Sequence, residues 1–249
     1  TYRLIEGEAR TRYASTQISL GDGLNLEWIP SEVPHHEAAG AVIREAATRV
    51  SNRLQWDKRE SVLATILASE ADADWHEARY GYCMDKIPYD KICLPRIAAE
   101  NQESLFRVAA HEFAHVVVLN TAEKMAPHWL DEGIACRMEG RSPDRSKARL
   151  AEWAIWLPPH DLNAEFEVDR RSAANSHGVG AAYDQSNVLV AYLHSLEGDE
   201  GLVKLLQALP DRSHLGDVLR KLVTGDPVDV ALRRTYGFGQ EELFAKARS

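Results

Sequence analysis

His111-Glu112-Phe113-Ala114-His115, running on into Val116-Val117-Val118-Leu119, is the stretch whose reading decides how this 249-residue chain is organised. Positions i and i+4 share a helix face, so both imidazoles reach one point. Glu112, about 100° further round the axis, leans over that same point. Two neutral imidazoles suit zinc, and a carboxylate beside the metal takes a proton from its bound water. HExxH is short enough to occur by chance. The rest of the chain must therefore supply a third ligand, a group that stabilises the transition state, and a cleft.

The helix carrying the motif is expected to start near Asn101, a good N-cap, with Glu103 in the first turn where the helix dipole favours an acid. Its later part is apolar nearly all round (Leu105, Phe106, Val108, Phe113, Val116, Val117, Val118, Leu119), the profile of a buried helix. Two histidines and a glutamate on a buried helix need partners, and a metal satisfies all three at once.

Beyond the motif, residues 120–126 read as a short connection. Pro127 fits the first turn of a second helix, His128-Trp129-Leu130-Asp131-Glu132-Gly133-Ile134-Ala135, ending near Gly140. A polar turn over 141–146 leads to an amphipathic helix over 147–157, with Leu150, Trp153, Ala154 and Leu157 on one side. From Pro158 to about Gly180 the composition predicts a long loop, and loops of that length are usually functional. A helix over about 181–196 follows, punctuated by Gly198 and Gly201. Shorter helices are expected near 202–209, 214–223 and 227–235, with a last one from Gln240.

Before the motif, alternating apolar positions (Tyr2, Leu4; Leu24, Leu26, Trp28) broken by Gly21-Asp22-Gly23 predict short strands around a turn. Pro34 and Glu37 introduce a helix over about 36–54. Ser61–Ser69 reads as a buried strand and 70–79 as a loop. Tyr80–Ile97 reads as two further strands around Pro88, the second being Lys91-Ile92-Cys93-Leu94-Pro95, whose proline suggests a sheet edge.

With 45% hydrophobic and 27% charged residues the composition is that of an ordinary globular protein, long enough to bury a full core. The net charge of −9, with no Lys/Arg block, argues against a nucleic-acid partner. No apolar run is long enough to span a membrane. The chain opens at Thr1 rather than Met, which leans toward an exported or cell-envelope location. Cys83 and Cys93 would pair only if two strands brought them together, and buried thiols are the simpler reading. With no CxxC, a cysteine zinc site is not expected.

Trp129-Leu130-Asp131-Glu132-Gly133-Ile134-Ala135 lies a short way past the second histidine. Folded back by a short loop, it lets Glu132 complete a His-His-Glu set, while Gly133 leaves room for close helix packing. With that segment the chain resembles the gluzincin metallopeptidases, the group that includes thermolysin and the aminopeptidases related to leukotriene A4 hydrolase. In those aminopeptidases the third ligand is the Glu of a W-L-N-E-G-F-A-like segment; here W-L-D-E-G-I-A has Asp131 for Asn and a slightly shorter spacer. Tyr183-Asp184-Gln185-Ser186 is similar to their Y-E-K-G segment, whose Tyr stabilises the oxyanion, and Asn120 matches a supporting position. The compact peptidase MA-like type fits best. Gly81-Tyr82-Cys83-Met84-Asp85 echoes their G-x-M-E-N segment only imperfectly, so exopeptidase specificity is not carried over.

The resemblance implies an α+β, zincin-like catalytic domain: one gluzincin-like unit over 1–249, with an N-terminal α/β part (1–100) carrying a short mixed sheet and a mostly helical part (101–249) carrying the metal site. It implies Zn2+ held by His111, His115 and Glu132, Glu112 as general base, Tyr183 as oxyanion donor, and a peptide or protein substrate. A strand near 91–96 would hold an extended peptide by β-addition. Blander readings stand beside these. His128 rivals Glu132 as a ligand, Asp131 orients a ligand histidine or is simply polar, and Tyr183 is helix packing. His160, His177, His194 and His214 lack metal spacing, and Arg170-Arg171 reads as a solvated face. A zinc hydrolase of a non-peptide amide and a non-catalytic, metal-stabilised binding module are the alternative functions.

Overall fold

The computed structural model describes residues 15–28, 35–57, 61–66, 82–84, 90–167, 176–209 and 226–249. The fold is α+β, with a small mixed sheet early in the chain and helices for most of the remainder. Two compact units emerge, Thr1–Val116 and Val117–Ser249, and the boundary falls inside the helix that carries the histidines.

In the first unit, β1 (Thr16–Gly21) and β2 (Leu24–Trp28) form an antiparallel hairpin. Its turn needs the glycines: Gly21, Asp22 and Gly23 all have positive φ, 96°, 49° and 80°, a region in which a Cβ is strained. Leu24, Leu26 and Trp28 are buried and the residues between them are not, as the alternation predicts. β3 (Val62–Ile66) is buried throughout and pairs in parallel with β2; β4 (Tyr82–Met84) and β5 (Asp90–Leu94) complete the order β1-β2-β3-β5-β4. Helix α1 (His36–Arg53) lies on the hairpin, where Gly40 allows a close approach: a Cβ there would stand 3.0 Å from Leu20 Cδ2. A short α2 (Arg96–Ala99) then leads into α3 (Gln102–Thr121). Asn101 caps α3, its Oδ1 accepting from the Ser104 N–H at 3.0 Å.

The expectation of a sheet edge near 91–96 is corrected. β5 runs between β3, its parallel neighbour, and β4, its antiparallel one, so both its ladders are occupied and it cannot take a further peptide strand. Pro95 does not disturb the ladder because pairing ends at Leu94; with ψ of 140° it serves instead as the N-cap of α2.

The second unit is helical: α4 (His128–Met138), α5 (Pro143–Trp153), α6 (Pro159–Glu167), α7 (Ser176–Ala208), α8 (Pro227–Tyr236) and α9 (Gln240–Arg248). Helix α7 is the centre, packed against α4, α5, α6, α8 and α9. It bends at Gly198, whose φ of 67° and ψ of −160° only glycine adopts readily. Three expectations are revised here. The helix placed over 147–157 begins at Pro143, because Ser142 accepts from the Arg145 N–H and Pro143 occupies the first turn; the polar turn over 141–146 is mostly helix. The long loop over 158–180 contains α6, opened by Pro159 in the same way. The helix expected from 181 starts at Ser176. Tyr2 and Leu4, the 70–79 loop, Pro88, Arg170-Arg171, His214 and the 214–223 helix lie outside the described residues.

Candidate metal centre

His111, Glu112 and His115 belong to the first unit. His111 and His115 stand one turn apart on α3, with ring centroids 4.9 Å apart and planes at 79°, so the i, i+4 spacing does put both rings on one face. Glu112 is buried at 4% exposure, among Ala109, Ala110, Phe113 and Ala114, which are buried with it. The helix is held from α1 and the residues after it. Trp56 meets Phe113 edge-on at 5.7 Å, and the Arg49 guanidinium lies 5.4 Å from the Phe106 ring centroid.

Glu132 and Tyr183 belong to the second unit. Pro127 opens α4 but has no side chain to cap it, and the His128 N–H is instead taken by Asn163 Oδ1 of α6 at 2.8 Å. Trp129 is wholly buried. Its Nε1–H donates to Gln240 Oε1 at 3.2 Å and its ring meets Phe244 at 5.9 Å, so the C-terminal helix anchors the start of the segment that holds Glu132. At Gly133 helix α7 comes so near that a Cβ would stand 2.5 Å from both the Ser186 carbonyl oxygen and Val190 Cγ2. Across that contact the Tyr183 hydroxyl donates to Glu132 Oε1 at 3.2 Å.

Tyr183 sits at the head of a buried polar run, Asp184, Gln185, Ser186 and Asn187. A buried carboxylate is costly unless bonded, and Asp184 is well supplied. Ser146 Oγ donates to its Oδ1 at 2.8 Å, Arg149 Nε to its Oδ2 at 2.6 Å and Arg149 NH2 to its Oδ1, with Arg141 NH1 3.9 Å from Oδ1. The bond to Asp184 holds the Arg149 guanidinium above its ordinary pKa. Burial works against the charge on Arg141, but Cys136, Glu139 and Asp184 outweigh it and hold that guanidinium above its ordinary pKa as well. Asn187 Nδ2 donates to Ser146 Oγ at 3.0 Å, and Gln185 grips Leu157 by both its N–H (2.8 Å) and its carbonyl (2.6 Å).

Every predicted site residue is thus placed on a helix. His111, Glu112 and His115 share α3, Glu132 lies in α4, and Tyr183 in α7 touches Glu132. Asp131 lies in the first turn of α4; His128 is exposed at its start, 6.1 Å from the Phe166 ring centroid to centroid. His160 is exposed on α6 and His194 pairs with Asp199 at 3.3 Å, so neither joins the site. Sequence reasoning missed Asn163, Phe166 and Arg141, two of which lie on α6; the one available signal was the Pro158-Pro159 pair opening that helix. Two groups among the described residues could hold a metal ion, His111 with His115 and Glu132, and His111 with Cys136 and Glu139. Cys136 is a fully buried thiol whose pKa burial pushes well above its ordinary value, and Glu139 is engaged by Arg141 Nε at 2.7 Å. The ion pair that already occupies Glu139 makes the second group the poorer donor set. No helix among the described residues is long and apolar enough to cross a membrane. Comparison with known protein families, characterised proteins and solved structures finds no match to this chain.

Proposed function

We propose that this protein is a zinc-dependent metallopeptidase with a zincin-like catalytic domain, its metal held by His111, His115 and Glu132. The observation that carries the reading is the pair of imidazoles on one face of α3 with the buried carboxylate of Glu112 between them in sequence. Two imidazoles and one carboxylate are the donor set of an open, catalytic zinc site rather than a closed structural one. Zinc bound there supplies a polarised water and positive charge against a developing oxyanion.

Glu112 takes a proton from the water as the water oxygen adds to the substrate carbonyl carbon. It hands that proton to the leaving amine as the C–N bond breaks. Tyr183 is the candidate donor to the oxyanion, a contribution of about 2.7–4 kcal/mol where such a donor has been removed.

Zinc analysis together with a peptide-library assay tests this. The parent chain is expected to carry near-stoichiometric zinc and to cleave peptides, and Glu112→Gln to keep the zinc and lose the cleavage. Cleavage by that variant at the parent rate would sink the mechanism. Stoichiometric zinc without cleavage of any peptide would favour a non-peptide amide as substrate.

A further inference from the structure

The phenol of Tyr183 is held on three sides. Its hydroxyl donates to Glu132 Oε1 at 3.2 Å; the Phe166 ring meets its ring edge-on at 5.4 Å and 86°; the Arg141 guanidinium lies 5.6 Å from its ring centroid. Arg141 is itself fixed by Glu139 at 2.7 Å and stands 3.9 Å from Asp184, the residue after Tyr183. The backbone under the phenol is fixed too, because Asp184 is bound to Ser146 and Arg149, and Gln185 to both polar groups of Leu157. The ring contacts hold the phenol with its hydroxyl against Glu132.

We propose that Tyr183 is a positioning residue for Glu132, holding the carboxylate in the rotamer in which it ligates the metal, and that Phe166 and Arg141 are the clamp that aims it. This rests on the zinc reading above and adds to it. A glutamate side chain has three rotatable bonds, and a ligand already held in place is not ordered at the expense of metal affinity. A donor that only met the oxyanion would leave zinc affinity untouched, so affinity separates the two roles. Partners that orient a metal ligand typically change metal affinity about 10–100-fold when removed, and a single neutral bond of 3.2 Å belongs at the lower end.

The test is zinc competition against a chromophoric chelator with the full chain, circular dichroism recording that each variant is folded. Tyr183→Phe is expected to bind zinc about tenfold more weakly than the parent with unchanged helix content. Arg141→Met is expected to move affinity the same way, with partial recovery in Arg141→Lys, which restores the charge without the stacked plane. If Arg141→Met fails to fold, Phe166→Leu tests the other jaw of the clamp at similar volume. Equal zinc affinity in the parent and Tyr183→Phe overturns this inference and leaves the zinc reading standing. A parent chain that binds no zinc overturns both.

Discussion

An ideal Cβ on Gly133 would stand 2.5 Å from the carbonyl oxygen of Ser186, nearer than real Cβ atoms come to backbone. The carbonyl belongs to α7 and cannot swing aside as a side-chain tip would, so Gly133→Ala must push α4 and α7 apart. Overpacking of this kind costs about 1–3 kcal/mol. Glu132 and Tyr183, one on either side of the contact, separate with it. A lowered denaturation midpoint with a weakened zinc affinity is expected in Gly133→Ala; an unchanged midpoint would show that the helices yield freely.

That contact also marks how far sequence alone reaches. Helix α3 was legible because its apolar residues run all round it and Asn101 caps it. The β1–β2 hairpin was legible because Gly21-Asp22-Gly23 has the φ freedom its turn demands. Elsewhere a local proline signal points the wrong way: Pro95 stands one residue past the β5 ladder, and Ser142-Pro143, expected in a polar turn, and Pro158-Pro159, expected to begin a long loop, each open a helix. The Tyr183–Glu132 bond could not be read at all: it depends on how α4 and α7 pack, and spacing along the chain carries no record of that.

Asn163 provides a cap from a distance. Its Oδ1 takes the first N–H of α4, which Pro127 cannot satisfy. Asn163→Ala is expected to cost about 0.5–1 kcal/mol, the low end for a lost cap because the bond is exposed to water. Faster exchange of the His128 amide, read by hydrogen-exchange mass spectrometry, should accompany the loss.

The Asp184–Arg149 pair is asymmetric, and the asymmetry predicts which partner matters more. The Asp184 side chain is 2% exposed and that of Arg149 41%. Removing Arg149 strands a buried carboxylate with Ser146 and the more distant Arg141, whereas a freed Arg149 can turn to water. Arg149→Met is therefore expected to destabilise by about 1–3 kcal/mol, and by more than Asp184→Asn. Urea midpoints of the two variants decide it; the reverse order would mean that Arg141 takes over.

Asp229 sets an acid limit on the C-terminal helices. Its carboxylate accepts the Gln240 N–H at 2.8 Å and Arg233 Nε at 2.7 Å, and the backbone bond, aided by Arg233, holds its pKa below the ordinary value. A depressed native pKa contributes stability that is present above the unfolded value of about 3.9 and is lost as pH falls through the native one. Stability should therefore decline as pH drops below about 4, and Asp229→Asn should flatten that decline. Helix content followed against urea between about pH 2 and 5 measures the difference.

Zinc linkage discriminates between the two donor sets because they share only His111. Zinc that binds the native state alone adds about 2.7 kcal/mol at a hundredfold excess over its Kd. For a chain of this size that is a rise in Tm of roughly 5–10 °C. The parent should show the rise and a chelator should remove it. His115→Ala and Glu132→Gln should abolish it if the HExxH set holds the ion. Cys136→Ser and Glu139→Gln should leave it intact, since Glu139 is already engaged by Arg141 Nε at 2.7 Å. Loss of the rise in Cys136→Ser with retention in His115→Ala would move the ion to the other set, away from Glu112, and would remove the ground for assigning Glu112 as a base.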